Sequence, residues 1–474
     1  MQQDAENLSR KIIQSARFIG RTEEYIMQKN EEMLKEAPFK QLIMNLCIPT
    51  IMIMLVMTIY NMADTYFIGQ TNDPCKIAAI SLSGPVFSIL SGLGTLFGSG
   101  GCTVVSLSLG EKKYGRIRAV TSLCFYGSVL IGCVFLAVVN LNITGIARAI
   151  GSDSDTIVYT VSYLRIIAFG APVILFTNVF ANLIRADGAA KQSMIANGIG
   201  TIANIILDPI LIIGLRMGVR GAAIATVAGN VISASYLLYY VIKKQKLFSL
   251  KLQDVSFEKK VIIPVFTLGL PLACGTILMS CSHMLMNNVL VSYGSAAVAA
   301  NGVAGKAGML INMIQMGICM GMQPALSYNC GAKNYGRMHQ IVRNTGIMTV
   351  ILGSILTILC FVFRKEFVLA FIDHEQVIAL GQKMVVASML IGPVYGLYQL
   401  AVTFLQSTGK AGYATMISLL DKGIVFIPML YLLNGLFGLE GVIYTAVITD
   451  LISILAGGIL SFSWNKKLTT ATQA

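Results

Sequence analysis

The sequence predicts an all-α polytopic membrane protein, with twelve transmembrane helices arranged as two homologous six-helix lobes. Three observations predict it. Of 474 residues, 55% are hydrophobic and 12% charged, and the mean hydropathy is +0.73, which is membrane rather than soluble composition. Twelve apolar stretches each reach the length that a helix needs to cross hydrocarbon. The second half of the chain also repeats the first. Stretches of alternating polarity, the mark of a barrel, are absent from the sequence.

Residues 1–37 form a charge-dense arm with six basic and seven acidic side chains. Its apolar positions Ile12, Ile13, Ala16, Ile19 and Met33 suit one face of a surface helix, the alternative being a disordered tail. The arm has no apolar core of the signal-peptide kind, and we read it as cytoplasmic. From Lys40 the spans run approximately over 41–69, 76–109, 119–143, 157–182, 192–214, 221–242, 261–291, 297–330, 344–363, 378–405, 411–433 and 441–464. Residues 38–242 hold the first lobe and residues 261–465 the second. The lysine-rich stretch 243–260 links them, and 466–474 is a tail.

Connections after spans 2, 4, 6, 8 and 10, with the C-terminal tail, carry eighteen Lys and Arg, and the opposite connections carry six. By the positive-inside rule both termini belong in the cytoplasm. The same asymmetry accounts for much of the net charge of +13 without nucleic acid. The ten cysteines include no C-x-x-C and fall mostly in apolar runs. They read as small buried residues, not as a disulfide framework or metal site.

The repeat is carried by specific residues. Gly110-Glu-Lys-Lys-Tyr114-Gly115-Arg116 returns as Gly331-Ala-Lys333-Asn-Tyr335-Gly336-Arg337, displaced by 221 positions. The same displacement carries Ala79 to Ala300, Gly84 to Gly305, Pro172 to Pro393 and Gly188 to Gly409, while Gly218 and Gly221 recur 220 positions on as Gly438 and Gly441. Six spans per lobe is an even number, so both lobes insert the same way up. That gives a parallel repeat about an axis along the membrane normal, an architecture suited to alternating access. Gly94, Gly98, Gly317 and Gly321 have small-xxx-small spacing, which we read as helix packing.

Span 5 carries Asn204-Ile-Ile-Leu-Asp208-Pro209 in otherwise aliphatic surroundings. An ionised carboxylate there is costly unless it meets a cavity or a partner. Asn204 lies one turn before Asp208 on the same face, and Pro209 removes an amide donor and loosens the turn. Such a group gathers oxygen ligands for a small cation; the plainer alternative is a carboxylate that hydrogen-bonds a neighbouring helix.

The tandem halves, the paired Gly-x-x-x-Tyr-Gly-Arg loops, Pro49 followed by Tyr60-Asn-Met-Ala-Asp64-Thr-Tyr-Phe-Ile-Gly69, and Asn204-Ile-Ile-Leu-Asp208-Pro209 followed by Gly221-Ala-Ala-Ile-Ala-Thr226 together resemble the MATE (multidrug and toxin extrusion) transporters, and among them the bacterial branch that includes MepA and DinF. The resemblance spans about residues 38–465. It implies a MATE-type fold in the plasma membrane and secondary antiport, in which Na⁺ or H⁺ moving inward drives amphipathic, mostly cationic compounds outward. It implies no cofactor beyond that ion. The family's first-lobe cation site uses an acid in span 1, Asn and Asp four apart in span 5, and Thr in span 6. The matching positions are Asp64, Asn204, Asp208 and Thr226, with Tyr60 one turn before Asp64. Expected partners are small-molecule drugs and membrane lipid, with no nucleic acid, and a monomer suffices because two lobes complete the pathway.

Depth agrees with this assignment. Asp64 lies five residues and Asp208 six from the outer ends of spans 1 and 5, and Thr226 lies five residues below the same surface in span 6. All three therefore sit about 8–9 Å below it. In the second lobe Asp208 maps near Ile427, Asn204 near Gly423 and Asp64 near Leu285 or His283, so the carboxylates are not repeated. That asymmetry favours function in the first lobe. Two adjacent carboxylates do not both stay ionised cheaply, so a cation or proton closes such a site.

His283, Asn287, Gln315 and Gln399 are candidate cleft residues, His283 alternatively being a histidine bonded to a neighbouring helix. Lys306, Asp421 and Lys422 read as internally paired or snorkelling. Methionines crowd spans 7 and 8, among them Met279, Met284, Met313, Met320 and Met322; thioethers adapt to varied apolar ligands, but we read most of these as packing. Enzymatic motifs are absent: His374-Glu375 lacks the second histidine, and Gly302-Val-Ala-Gly305-Lys306 lacks P-loop spacing. Two other readings remain, a flippase for a lipid-linked saccharide and a non-transport receptor signalling through the arm. The flippase calls for a strongly basic cleft, whereas the charges within the spans are few and mixed.

Overall fold

The computed structural model describes residues 30–71, 73–369 and 375–473. Ile12, Ile13, Ala16 and Ile19 of the arm lie outside the described residues. The described residues are helical and form no strand, and the long helices match the predicted spans. They are Phe39–Gly69, Pro74–Gly110, Tyr114–Leu141, Ile157–Arg185, Ala190–Gly214, Val219–Lys244, Lys259–Val291, Ala296–Gly331 and Tyr335–Val362 for spans 1 to 9. Span 10 bends by 46° between Ile378–Leu390 and Gly392–Ser407. Spans 11 and 12 follow within Ala411–Asn465, which is too long for one crossing.

The chain reverses between spans 11 and 12 at one residue. Gly438 (φ 58°, ψ −137°) leaves the helical region while its neighbours keep it, and only glycine takes that conformation without strain. Gly218 (φ 55°, ψ −126°) takes the same conformation between spans 5 and 6, at the end of a short non-helical turn over residues 215–217. Three residues past each lies a glycine that permits the hairpin. A methyl at Gly221 would press on the Leu211 carbonyl, and one at Gly441 would overlap the Leu433 carbonyl. The repeat thus extends to backbone conformation.

The two lobes meet on the face that carries the lysine-rich loops. Here backbone approaches backbone. A methyl at Gly100 would overlap the Val265 carbonyl, one at Gly269 the Leu96 carbonyl, one at Gly110 the Tyr328 carbonyl and one at Gly331 the Leu107 carbonyl. Gly317 and Gly321 admit Ile51 and Cys47 of span 1, while Gly94 and Gly98 admit Asn178 and Asn182 of span 4. Two glutamines bond across the junction: Gln323 donates to Thr103 (2.8 Å) and Gln406 to Ser99 (2.7 Å).

Contact between the lobes reaches mid-depth, where Ser280 donates to Ser88 (3.0 Å) and Thr58 approaches the Met313 sulfur (2.8 Å). Beyond it, the same helix faces are bare. Ser81 precedes Ser88 by two turns, Met309 precedes Met313 by one, and Met284 follows Ile277, which touches Gly92; all three are exposed. The helices therefore enclose a cleft that is closed at the lysine-rich face and open at the other.

The end of the arm lies across the closed side. Residues 30–36 are helical, with Leu34 fully buried and Met33 nearly so. Met33 and Asn30 pack on Gly188 of the first lobe. From the second lobe, Asn329 donates to the Leu34 carbonyl (2.9 Å), Tyr328 to Glu31 (3.1 Å) and Arg337 to the Ala37 carbonyl. The linker is also ordered. Ser122 and Tyr126 of span 3 donate to the carbonyls of Ser249 and Leu250, and Gln245 donates to Asp187.

Candidate cation site and cleft

Spans 5 and 6 cross backbone to backbone at Gly200 and Gly229. A methyl at Gly200 would overlap Ser233 Oγ and the Gly229 carbonyl, and one at Gly229 would press on the Gly200 carbonyl. This close crossing orients the next two turns of span 5. Asn204, one turn after Gly200, points between the helices and is 2% exposed. Asp208 comes a further turn on and is fully buried. The α-helix ends there and Pro209–Gly214 continues as a wider π turn, because a proline at position 209 has no amide for the Ile205 carbonyl.

Span 1 supplies the facing groups. Asp64 is buried and lies within hydrogen-bonding reach of Asp208. Tyr60, one turn earlier, shares a hydrogen bond of 3.0 Å with Thr226 of span 6. Asp64, Asn204, Asp208 and Thr226 are thus brought together, with Tyr60 at their edge. Tyr163 of span 4, which sequence reading did not single out, is buried against Tyr60 and the two carboxylates. One tyrosine among eighteen offered no signal of its own.

Much of the group's polarity is unmet. Asp64 Oδ1, both carboxylate oxygens of Asp208, and Asn204 Oδ1 and Nδ2 are buried without a hydrogen-bond partner. Orphaned buried polar atoms are costly and call for an explanation. Two ionised carboxylates only accept, so neither satisfies the other. An adjoining cavity of about 90 Å³ is lined by Tyr60, Asn178, Gly200, Asn204, Thr226 and Asn230 among others. That volume suits a few water molecules or a small ion and falls short of a drug-sized pocket. Every unpaired acceptor is an oxygen, the donor set that a hard monovalent cation or a proton requires.

A family model, MatE, matches residues 49–210 and again 271–432, once in each lobe. The chain belongs to the MatE family. Among curated relatives, the multidrug export protein MepA of Staphylococcus saprophyticus is 30% identical over 435 residues, 92% of this chain and 96% of that one. MepA of Staphylococcus aureus is 32% identical over 453 residues, covering 94% and 98%. A MATE crystal structure in a bent conformation superposes with a TM-score of 0.88 at 21% identity, covering 94% of this chain and 99% of the other. An outward-facing multidrug resistance MATE transporter of the MOP superfamily superposes at 0.87 and 21%, covering 92% and 98%. MATE structures hold twelve helices in two lobes, the architecture described above.

The remaining predicted cleft residues of this MATE protein divide. His283 is exposed near Lys422, and Asn287 is exposed and accepts from Asn301 (3.0 Å). Gln315 does not line the cleft. It is fully buried and donates to the Gly392 carbonyl (2.6 Å), wedged between Gly353 and Gly396 inside the second lobe. Gln399 likewise turns inward and donates to Tyr395 (3.2 Å). A polar residue in an apolar span signals a need for a partner, and both glutamines find theirs within the lobe. Met320 and Met322 are core, whereas Met284 and Met309 are exposed.

In the second lobe the positions that match Asp64 and Asp208 hold no carboxylate, as expected. The lobe holds carboxylates elsewhere. Lys422 Nζ lies 3.2 Å from Asp421 and 2.8 Å from Asp450 of span 12, so Lys422 is internally paired rather than snorkelling.

Proposed function

We propose that this protein is a secondary active multidrug efflux transporter: a cation-coupled antiporter in which Na⁺ or H⁺ entering through the first lobe drives amphipathic, mostly cationic organic compounds out through the interlobe cleft. The observation that carries the reading is the buried carboxylate pair Asp64 and Asp208, unpartnered beside a cavity of ion size. That relatives are named multidrug export proteins supports the substrate reading. In this reading the lysine-rich face is cytoplasmic, and the closed junction there is the outward-facing state. Neutralising the pair by an ion removes the repulsion between spans 1 and 5 and lets their packing change, which biases the two openings of the cleft. The deciding experiment is efflux of a fluorescent cationic dye from proteoliposomes with Na⁺ and pH gradients imposed separately. One gradient drives transport in the wild type, and Asp208→Asn, which keeps the shape but not the charge, abolishes the gradient-driven part. Dye movement that ignores both gradients would sink coupling.

A further inference from the structure

The charged cluster of the second lobe stands where the cavity of the first lobe stands. Under the repeat displacement of 220 to 221 positions, Asp421 falls on Gly200 or Thr201 and Asp450 on Gly229 or Asn230. All four of those residues line the first-lobe cavity. Gln399 and Tyr395 fall on Asn178 and Ile174, which also line it. The first lobe places glycines and amides around an opening; the second places two carboxylates with an ammonium between them.

The geometry is that of a filled cation site. Lys422 Nζ bridges the carboxylates at 3.2 and 2.8 Å, and a π turn over Leu420–Ile424 turns both Asp421 and Lys422 inward. Asp421 is 1% exposed, and besides this ion pair its carboxylate meets only Asp450, which lies within hydrogen-bonding reach. The groups facing the cluster are His283 of span 7, Tyr395 and Tyr398 of span 10, and Asp450 of span 12. None of these supplies a second fixed positive charge. Two carboxylates against one ammonium leave one negative charge in excess, so among the described residues the lysine is the only cation holding the pair together.

We propose that the second lobe contains a monovalent-cation site whose ligand is the protein's own Lys422 ammonium, and that removing this ammonium opens Asp421 and Asp450 to Na⁺ or a proton from solution. The first lobe then exchanges its cation with solution while the second carries one permanently, which confines coupling to a single lobe. The site does not depend on the first-lobe reading, and its test is run with that site silenced.

The experiment is thermal unfolding of the purified full chain in an Asp208→Asn background. Na⁺ is titrated against N-methylglucamine at constant ionic strength, and pH is then lowered without Na⁺. With Lys422 present the melting temperature is indifferent to Na⁺, and it stays so in Lys422→Arg, which keeps a tethered cation. With Lys422→Gln added it rises with Na⁺, or with acid if the proton is the better ligand. The rise disappears when Asp421→Asn and Asp450→Asn are combined with Lys422→Gln, which separates these carboxylates from His283. A flat response in Lys422→Gln overturns the proposal, as does a rise that survives loss of both carboxylates. So does a Lys422→Gln chain that cannot be recovered folded under any of these ions while the triple neutral variant folds, because no solution ion then replaces the ammonium.

Discussion

Asp187 shows what enclosure costs a carboxylate outside the spans. It sits in the loop between spans 4 and 5, 4% exposed. Burial pushes its carboxyl up to about 6, although Gln245 and the Ala189 amide both donate to it. A folded-state value above the unfolded one means that its contribution is fully present below about pH 4 and is lost as pH rises through 6. The wild type should therefore lose more melting temperature between pH 5 and 7.5 than Asp187→Asn does; parallel profiles would discard this assignment. At this scale the sequence was legible where an ionisable side chain interrupts an apolar run, as at Asp208. Asp450 interrupts span 12 in the same way, but reading through the repeat looks for partners of Asp64 and Asp208 and passes over it. Tyr163 and the inward turn of Gln315 depend on which helices meet, and no local pattern encodes that.

The helical segment 30–36 is the element whose role the sequence conveyed least. Met33 was legible as one apolar position on a helix face; that Leu34 is fully buried and that both lobes contribute to its seat comes from packing alone. Truncating a buried leucine costs about 2–5 kcal/mol, and placing a charge there costs more. Leu34→Asp is expected to detach the segment and expose the peptide bond after Lys35. Limited trypsinolysis with mass detection reads this as faster release of the first 35 residues than in the wild type, and equal rates would show that the docking is weak. The spans were easier to read, because hydropathy and length define a crossing without reference to neighbours. Between the predicted spans 411–433 and 441–464, where reading leaves a loop, a single glycine makes the turn.

The whole molecule is two copies of one lobe, pinned together at one end. The duplication and the parallel orientation of the copies were readable from Gly110 to Arg116 and its recurrence; which face is pinned was not, because either is compatible with the same helices. If efflux requires the pinned end to open, tethering it stops transport. In a chain cleared of its ten cysteines, Thr103→Cys and Gln323→Cys joined by a short bis-methanethiosulfonate reagent, which forms a disulfide to each, should lose dye efflux, and reduction should restore it. Undiminished efflux in the tethered protein would show that this junction does not part.

The glycines at that junction carry a further consequence, one of electrical insulation. Where Gly100 meets Val265 and Gly331 meets Leu107, main chain lies on main chain, and no side chain can rotate aside to admit a file of water. Such a junction does not open by the turning of a side chain, so under the proposed coupling it keeps the driving gradient from being short-circuited by the protein.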